Sequence, residues 1–158
     1  VFSYLSPTVG AADGAASGID KAKNSQSCVL KVALGESVIL LTGDIERVDK
    51  VALALRYEHE LKSTLLIAPH HGSKTPSSYA LLKRAAPEIV FIGAGYKNSF
   101  GHPHAEVVSR YALLGIEALN TATRGMLSVE LNRQGVVSRP RAYRETHRRY
   151  WRPIPERL

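Results

Sequence analysis

Leu65-Leu66-Ile67-Ala68-Pro69-His70-His71-Gly72-Ser73 reads as a short buried strand that ends by presenting two imidazoles on a glycine turn. An apolar run of this length, bounded by turn residues, fits a strand covered on both faces. Earlier in the chain, Ser37-Val38-Ile39-Leu40-Leu41-Thr42-Gly43-Asp44 repeats the device, an apolar run, a turning glycine and then a carboxylate. One strand end offers oxygen and the other nitrogen, a pairing suited to zinc or manganese.

Working outward, Val1 to Leu5 is strand-like, and residues 8–23, rich in Gly, Ala, Ser and Asp, lack periodicity and read as loop. Cys28, Leu30, Val32 and Leu34 alternate with Val29, Lys31 and Ala33, as in a strand with one face more buried. Gly35-Glu36 then supplies a two-residue turn with glycine first, which predicts a type II′ hairpin into residues 37–41. After Asp44 the period lengthens: Ile45, Val48, Val51 and Leu55 predict an amphipathic helix to about Lys62. Further on, helices are expected from Thr75-Pro76-Ser77 to Ala85 and from Pro103 or His104 to Leu114-Gly115. Strands are expected at residues 89–92, 116–119, 126–131 and 136–137. Strands alternating with helices after an initial hairpin define an α/β layered fold.

Each ligand-capable residue has two readings. Asp44 is either a metal ligand or the N-cap of the helix expected after it. His59, between Glu58 and Glu60 on a polar helix side, reads as an exposed residue. His70 and His71 are harder to bury without partners. If the backbone there is extended, their rings point to opposite sides, so one ligates and the other serves as acid or phosphate donor. In Asn98-Ser99-Phe100-Gly101-His102-Pro103-His104, the two histidines share a face if extended. Pro103 at the first helical position would turn a helix N-terminus, with its free N–H groups, toward this loop. The alternative is a helix entrance with incidental histidines. No Ser-His-Asp arrangement, Walker loop or CxxC pair competes with the metal reading.

A chain of 158 residues, 44% hydrophobic and 22% charged, suits one globular domain with a sizeable core. No apolar run approaches the roughly 18 residues that span a bilayer, so the chain reads as soluble. It begins at Val1 without a visible signal peptide, as a fragment or processed product would. The single Cys28 excludes an internal disulfide. Of the net charge of +7, +5 falls within residues 139–158, where seven arginines face Glu145 and Glu156. Tyr143, Tyr150 and Trp151 interleave with those arginines, so that Arg148, Arg149 and Trp151 form a candidate surface for phosphates and bases. The competing reading is a tail that packs its rings back on the domain.

Four motifs, taken in order, carry a family resemblance: Asn24-Ser25-Gln26-Ser27-Cys28-Val29-Leu30, Leu40-Leu41-Thr42-Gly43-Asp44-Ile45-Glu46, Ala68-Pro69-His70-His71-Gly72-Ser73, and Asn98 through His104. From about Val1 to Leu131 the chain resembles the C-terminal half of the metallo-β-lactamase-like domain of ComEC-type DNA internalisation competence proteins. The resemblance implies an α/β fold, half of an αββα sandwich with a mixed sheet flanked by helices, over residues 1–138, followed by a basic tail over residues 139–158. It implies two divalent metal ions, zinc or manganese, in the intact domain, with Asp44 bridging them and His71 as a ligand. His70, His102 and His104 become the catalytic candidates, and Ser73, Lys74 and Asn98 join the tail residues as candidates for substrate phosphate. The family's main ligand cluster, His-x-[His/Asp]-x-Asp-His, does not occur in this chain, which therefore is expected to be inactive alone and to bind metal weakly or not at all.

The same resemblance implies a bacterial inner-membrane protein with an extracytoplasmic hydrolase domain that degrades the DNA strand not imported. Its partners would be single-stranded DNA, the missing N-terminal half and the membrane channel of the same protein. A half-sheet left with an apolar face also invites a homodimer. The alternatives are a non-catalytic nucleic-acid-binding module, and a hydrolase of another phosphoester or ester.

Overall fold

Strands β2 (Val29–Leu34) and β3 (Ser37–Leu41) pair antiparallel across Gly35-Glu36, with Leu34 opposite Ser37. Gly35 has φ +61° while Glu36 stays out of the positive-φ region, which fits the expected glycine-first turn. Space demands glycine there too: a Cβ on Gly35 would lie 2.3 Å from the Arg133 carbonyl oxygen. That oxygen accepts from the Glu36 N–H at 2.6 Å, and the buried Ser37 hydroxyl donates to the carbonyls of Asn132 and Gly135. In this computed structural model, residues 1–6, 27–46, 53–57, 60–74, 78–136 and 138–150 are described.

Strand β1 (Phe2–Ser6) adds antiparallel to β2, while β4 (Leu65–Ile67), β5 (Ile89–Ile92) and β6 (Glu117–Asn120) follow β3 in parallel. The six strands thus lie in chain order in one mixed sheet. Parallel strands end on the same side, so the loops after β3, β4 and β5 converge at one edge. That is where an open α/β sheet places its ligands.

Along the register Leu40, Leu66 and Val90 are neighbours, and all three are fully buried. They form one core with Leu81, Leu82 and Ala85 of helix α1 (Ser78–Ala85) and with Val107 and Tyr111 of helix α2 (Ala105–Leu113). Alternation sends Phe2, Tyr4, Leu30, Val32, Ile39, Leu41, Ile67 and Phe91 to the other face. There burial falls away toward the hairpin edge: Leu65 and Ile89 are buried, whereas Phe2 and Tyr4 are each 74% exposed.

Several boundaries differ from expectation. Ile45 and Glu46 are not helical, residues 53–56 are, and 47–52 lie outside the described residues. The entrance at residues 75–77 is likewise outside them. Helix α2 begins at Ala105 with His104 as its N-cap, so Pro103 is not its first residue. The strand expected over residues 126–131 is two: β7 (Leu127–Ser128) and β8 (Leu131–Asn132). The break has a cause, since β8 turns back on β9 (Gly135–Val136) whereas β7 takes β10 (Arg141–Ala142) as its partner. Short helices α3 (Thr121–Arg124) and α4 (Tyr143–Thr146) complete the fold. No helix among the described residues is long and apolar enough to cross a membrane.

The start of the basic segment packs back on the domain. Arg144 Nη1 donates to the carbonyls of Ala122 and Thr123 at 2.6 and 3.0 Å, Arg124 pairs with Glu145, and Arg141 pairs with Glu130.

Candidate functional site

Two hydrogen bonds tie the loop after β3 to the loop after β4. The Thr42 hydroxyl donates to the Ile67 carbonyl at 2.7 Å, and the His70 N–H to the Gly43 carbonyl at 3.0 Å. This brings Asp44 Oδ1 to 3.5 Å from His71 Nε2. Because Ile45 and Glu46 are not helical, Asp44 does not cap a helix starting there. The other ring nitrogen, His71 Nδ1, lies 2.7 Å from the Gly93 carbonyl at the end of β5. A carbonyl only accepts, so Nδ1 carries a proton, and Nε2 is the nitrogen that faces Asp44. Two ligands of one tetrahedral ion, each about 2.0 to 2.1 Å from it, stand about 3.3 to 3.5 Å apart. The carboxylate and imidazole have that spacing.

The backbone at the two histidines is not extended. His70 and His71 have φ values of +49° and +55° in a tight turn over Pro69–Gly72, closed by the Ser73 N–H donating to the His70 carbonyl at 2.9 Å. Left-handed backbone is costly for residues with a Cβ and is held here by the contacts around it. The rings nonetheless face different neighbours. His71 meets Asp44, while the His70 ring centroid lies 6.1 Å from that of His102.

His102 in turn lies 5.2 Å from His104, both centroid distances being edge-on contacts. Burial first, and then the neighbouring His104, His70 and His71, push the His102 pKa below its ordinary value. The His104 N–H donates to the Gly72 carbonyl at 3.1 Å, joining this loop to the His70–His71 turn. Gly72 has φ +79°, and a Cβ there would lie 2.7 Å from the Pro103 Cβ. Asn98 is spent within the loop: its side-chain N–H groups donate to the Gly95 and His102 carbonyls, and its oxygen accepts from the His102 N–H. In this conformation it shapes the loop.

Of the remaining sequence candidates, two follow the His70–His71 turn directly in the chain. Ser73 is half-buried next to the turn, and Lys74 Nζ pairs with Glu106 at 2.6 Å in the first turn of α2. Arg148 and Arg149 are exposed, whereas Trp151 and His59 lie outside the described residues. Among the described residues no three or more His, Cys, Asp or Glu side chains are grouped to hold a metal; Asp44 and His71 stand together as two. Sequence reasoning missed Gly93, whose part is played by its carbonyl, and the rings of Tyr96 and Phe100. An exposed aromatic pair in a polar loop was the available signal for the last two.

Over 133 residues, 84% of its length, the chain is 37% identical to the competence protein ComA of Neisseria gonorrhoeae, of which it spans 19%. It is 35% identical over 111 residues, 70% of its length, to Recombination protein 2 of Haemophilus influenzae, of which it spans 14%. To ComE operon protein 3 of Bacillus subtilis it is 30% identical over 117 residues, 73% of its length and 15% of that protein. The chain is related by sequence to competence proteins. A continuous match of 133 residues in a chain of 158 must contain residues 26–133, so the kinship to the Neisseria protein spans Asp44, His70, His71, His102 and His104. No protein-family model matches the chain.

Proposed function

We propose that this chain forms one half of the metal-dependent phosphodiesterase domain of a bacterial DNA-uptake protein, acting outside the inner membrane on the strand that is not imported. The observation that carries the reading is the Asp44–His71 pair, at ligand spacing and with the imidazole tautomer set by Gly93. Kinship to competence proteins supports the DNA-uptake role. The apolar sheet face with exposed Phe2 and Tyr4 supports an αββα sandwich, since a second sheet laid on it would bury those rings.

In this reading Asp44 Oδ1 and His71 Nε2 would hold a divalent ion, zinc or manganese, with further ligands from the other half. The ion would supply Lewis acidity and a nucleophile at neutral pH. The chain's own residues do the rest. Gly93 holds the His71 ring so that Nε2 keeps its lone pair for ligation. His102, with its lowered pKa, is neutral at pH 7 and can accept a proton on one nitrogen while donating from the other. His70 and His104 flank it as hydrogen-bond donors to a phosphate oxygen or to the leaving oxygen. Lys74, paired with Glu106, stands beside the turn as a further cation for the substrate.

The test is cleavage of end-labelled single-stranded DNA, with zinc or manganese, by a protein carrying both halves of the sandwich. Asp44→Ala and His71→Ala should each abolish it, and cleavage persisting in both variants overturns the reading. Binding of DNA without cleavage in the intact protein would establish instead a non-catalytic binding module, the reading that the two-ligand pair of this chain favours second.

A further inference from the structure

The loop between β5 and α2 turns two aromatic rings to solvent: Tyr96 is 61% and Phe100 75% exposed. Exposed aromatic surface gathered in one place marks interaction sites, whereas single scattered rings do not. The loop is not slack. The Asn98 N–H donates to the Gly95 carbonyl at 3.3 Å, the Gly101 N–H to the Asn98 carbonyl at 3.2 Å, and the Asn98 side chain bridges Gly95 and His102. The rings are therefore held outward by a cross-braced loop, a preorganised arrangement that saves ordering cost on binding.

Cations flank them. Lys97 Nζ lies 5.6 Å and the Arg144 guanidinium carbon 5.9 Å from the Tyr96 ring centroid, and Arg144 is itself fixed by the Ala122 and Thr123 carbonyls. At the other end, Phe100 stacks on His102 at 5.9 Å with 26° between the planes. Aromatic faces interleaved with positive charge suit a polyanion whose bases are free to stack, which a single strand offers and a duplex does not. An apolar protein partner would be met by a patch without cations at its centre.

We infer that Tyr96 and Phe100 are base-stacking platforms that lead single-stranded DNA to the His70, His102 and His104 cluster, with Lys97 and Arg144 facing its phosphates. The inference rests on the proposed function for its substrate and not for its chemistry.

Binding is therefore measured without metal, in EDTA, by fluorescence anisotropy of labelled oligothymidine and of an abasic oligomer of equal length. The chain should prefer the base-bearing strand. Tyr96→Ala and Phe100→Ala should each lower affinity for oligothymidine by about five- to hundredfold, one stacked base each, and leave abasic binding unchanged. Tyr96→Phe should restore the affinity, and melting curves of these exposed-site variants should match the parent. Equal affinity for the two oligomers, or alanine variants that bind oligothymidine like the parent, overturns the inference. Failure of the cleavage reading would look different: stacking preference intact in EDTA, with no cleavage when metal is restored to the two-half protein.

Discussion

Asp44 Oδ1 stands 3.5 Å from His71 Nε2, across the ends of two adjacent parallel strands, while Nδ1 of the same ring lies 2.7 Å from the Gly93 carbonyl on a third. Three strand ends thus converge on one imidazole. The ring is oriented before any ligand arrives, because its Nδ1 proton has a fixed acceptor. Nitrogen-resolved NMR at pH 8 should therefore find His71 as the Nδ1–H tautomer. In a zinc titration the chain should bind weakly, since two protein ligands fall short of the usual complement, and Asp44→Ala or His71→Ala should weaken binding at least about tenfold further. An Nε2–H tautomer, or metal binding unchanged by both substitutions, would contradict the arrangement.

Gly72 joins the two histidine segments. Its φ of +79° and the 2.7 Å that would separate an added Cβ from the Pro103 Cβ make alanine costly twice, through backbone strain and through overlap with backbone-anchored proline. Gly72→Ala should destabilise the protein by about 2 to 4 kcal/mol. Denaturant unfolding measures the cost directly, and a neutral result would show that the His70–His71 turn and the His102–His104 loop move apart easily.

The depressed pKa of His102 gives stability a definite pH sense. Burial and the neighbouring histidines disfavour its charged form in the folded state, so the unfolded chain binds the proton more readily. The contribution is whole above the ordinary value of 6.5 and is lost as pH falls through the lowered folded value. Melting temperature should thus drop on acidification from pH 7.5 to 5, and His102→Gln should flatten that drop. A steeper dependence in the variant would mean that His102 is charged in the folded protein.

The hairpin, the parallel strands and helix α2 were legible in the sequence because they follow period-two or period-3.6 patterns closed by Gly, Pro or a cap. Asp44 and His71 were legible as ligand-capable residues at strand ends. Their pairing depends on parallel register between β3 and β4, which brings Leu41 beside Ile67 and which no local pattern specifies. The left-handed turn at His70 and His71 was hidden for a related reason: histidine is enriched at positive φ but still seldom adopts it, and the contacts that hold it come from Gly43, Gly93 and Pro103. Likewise the strand around residue 129 is broken by partners lying further along the chain.

The basic segment divides at about His147, and two truncations should separate packing from binding. Ending the chain after Ser138 removes buried Ala142, the two hydrogen bonds from Arg144 to helix α3, and Glu145, the partner of an Arg124 whose side chain is only 12% exposed. Losing a charge-assisted bond from so covered a guanidinium costs about 2 to 3 kcal/mol, or about 5 to 10 °C in a domain of this size. Ending it after His147 keeps those contacts and removes Arg148, Arg149, Arg152 and Arg157 with Trp151. That shorter truncation should flatten the salt dependence of single-strand binding, by about 0.7 in log K per log salt for each phosphate the four arginines neutralise. Trp151→Ala should weaken the same binding by about 1 to 3 kcal/mol if the indole stacks on a base. An unchanged salt slope after the His147 truncation, with a lowered melting temperature, would assign the whole segment to packing and leave the strand to the loop that carries Tyr96 and Phe100.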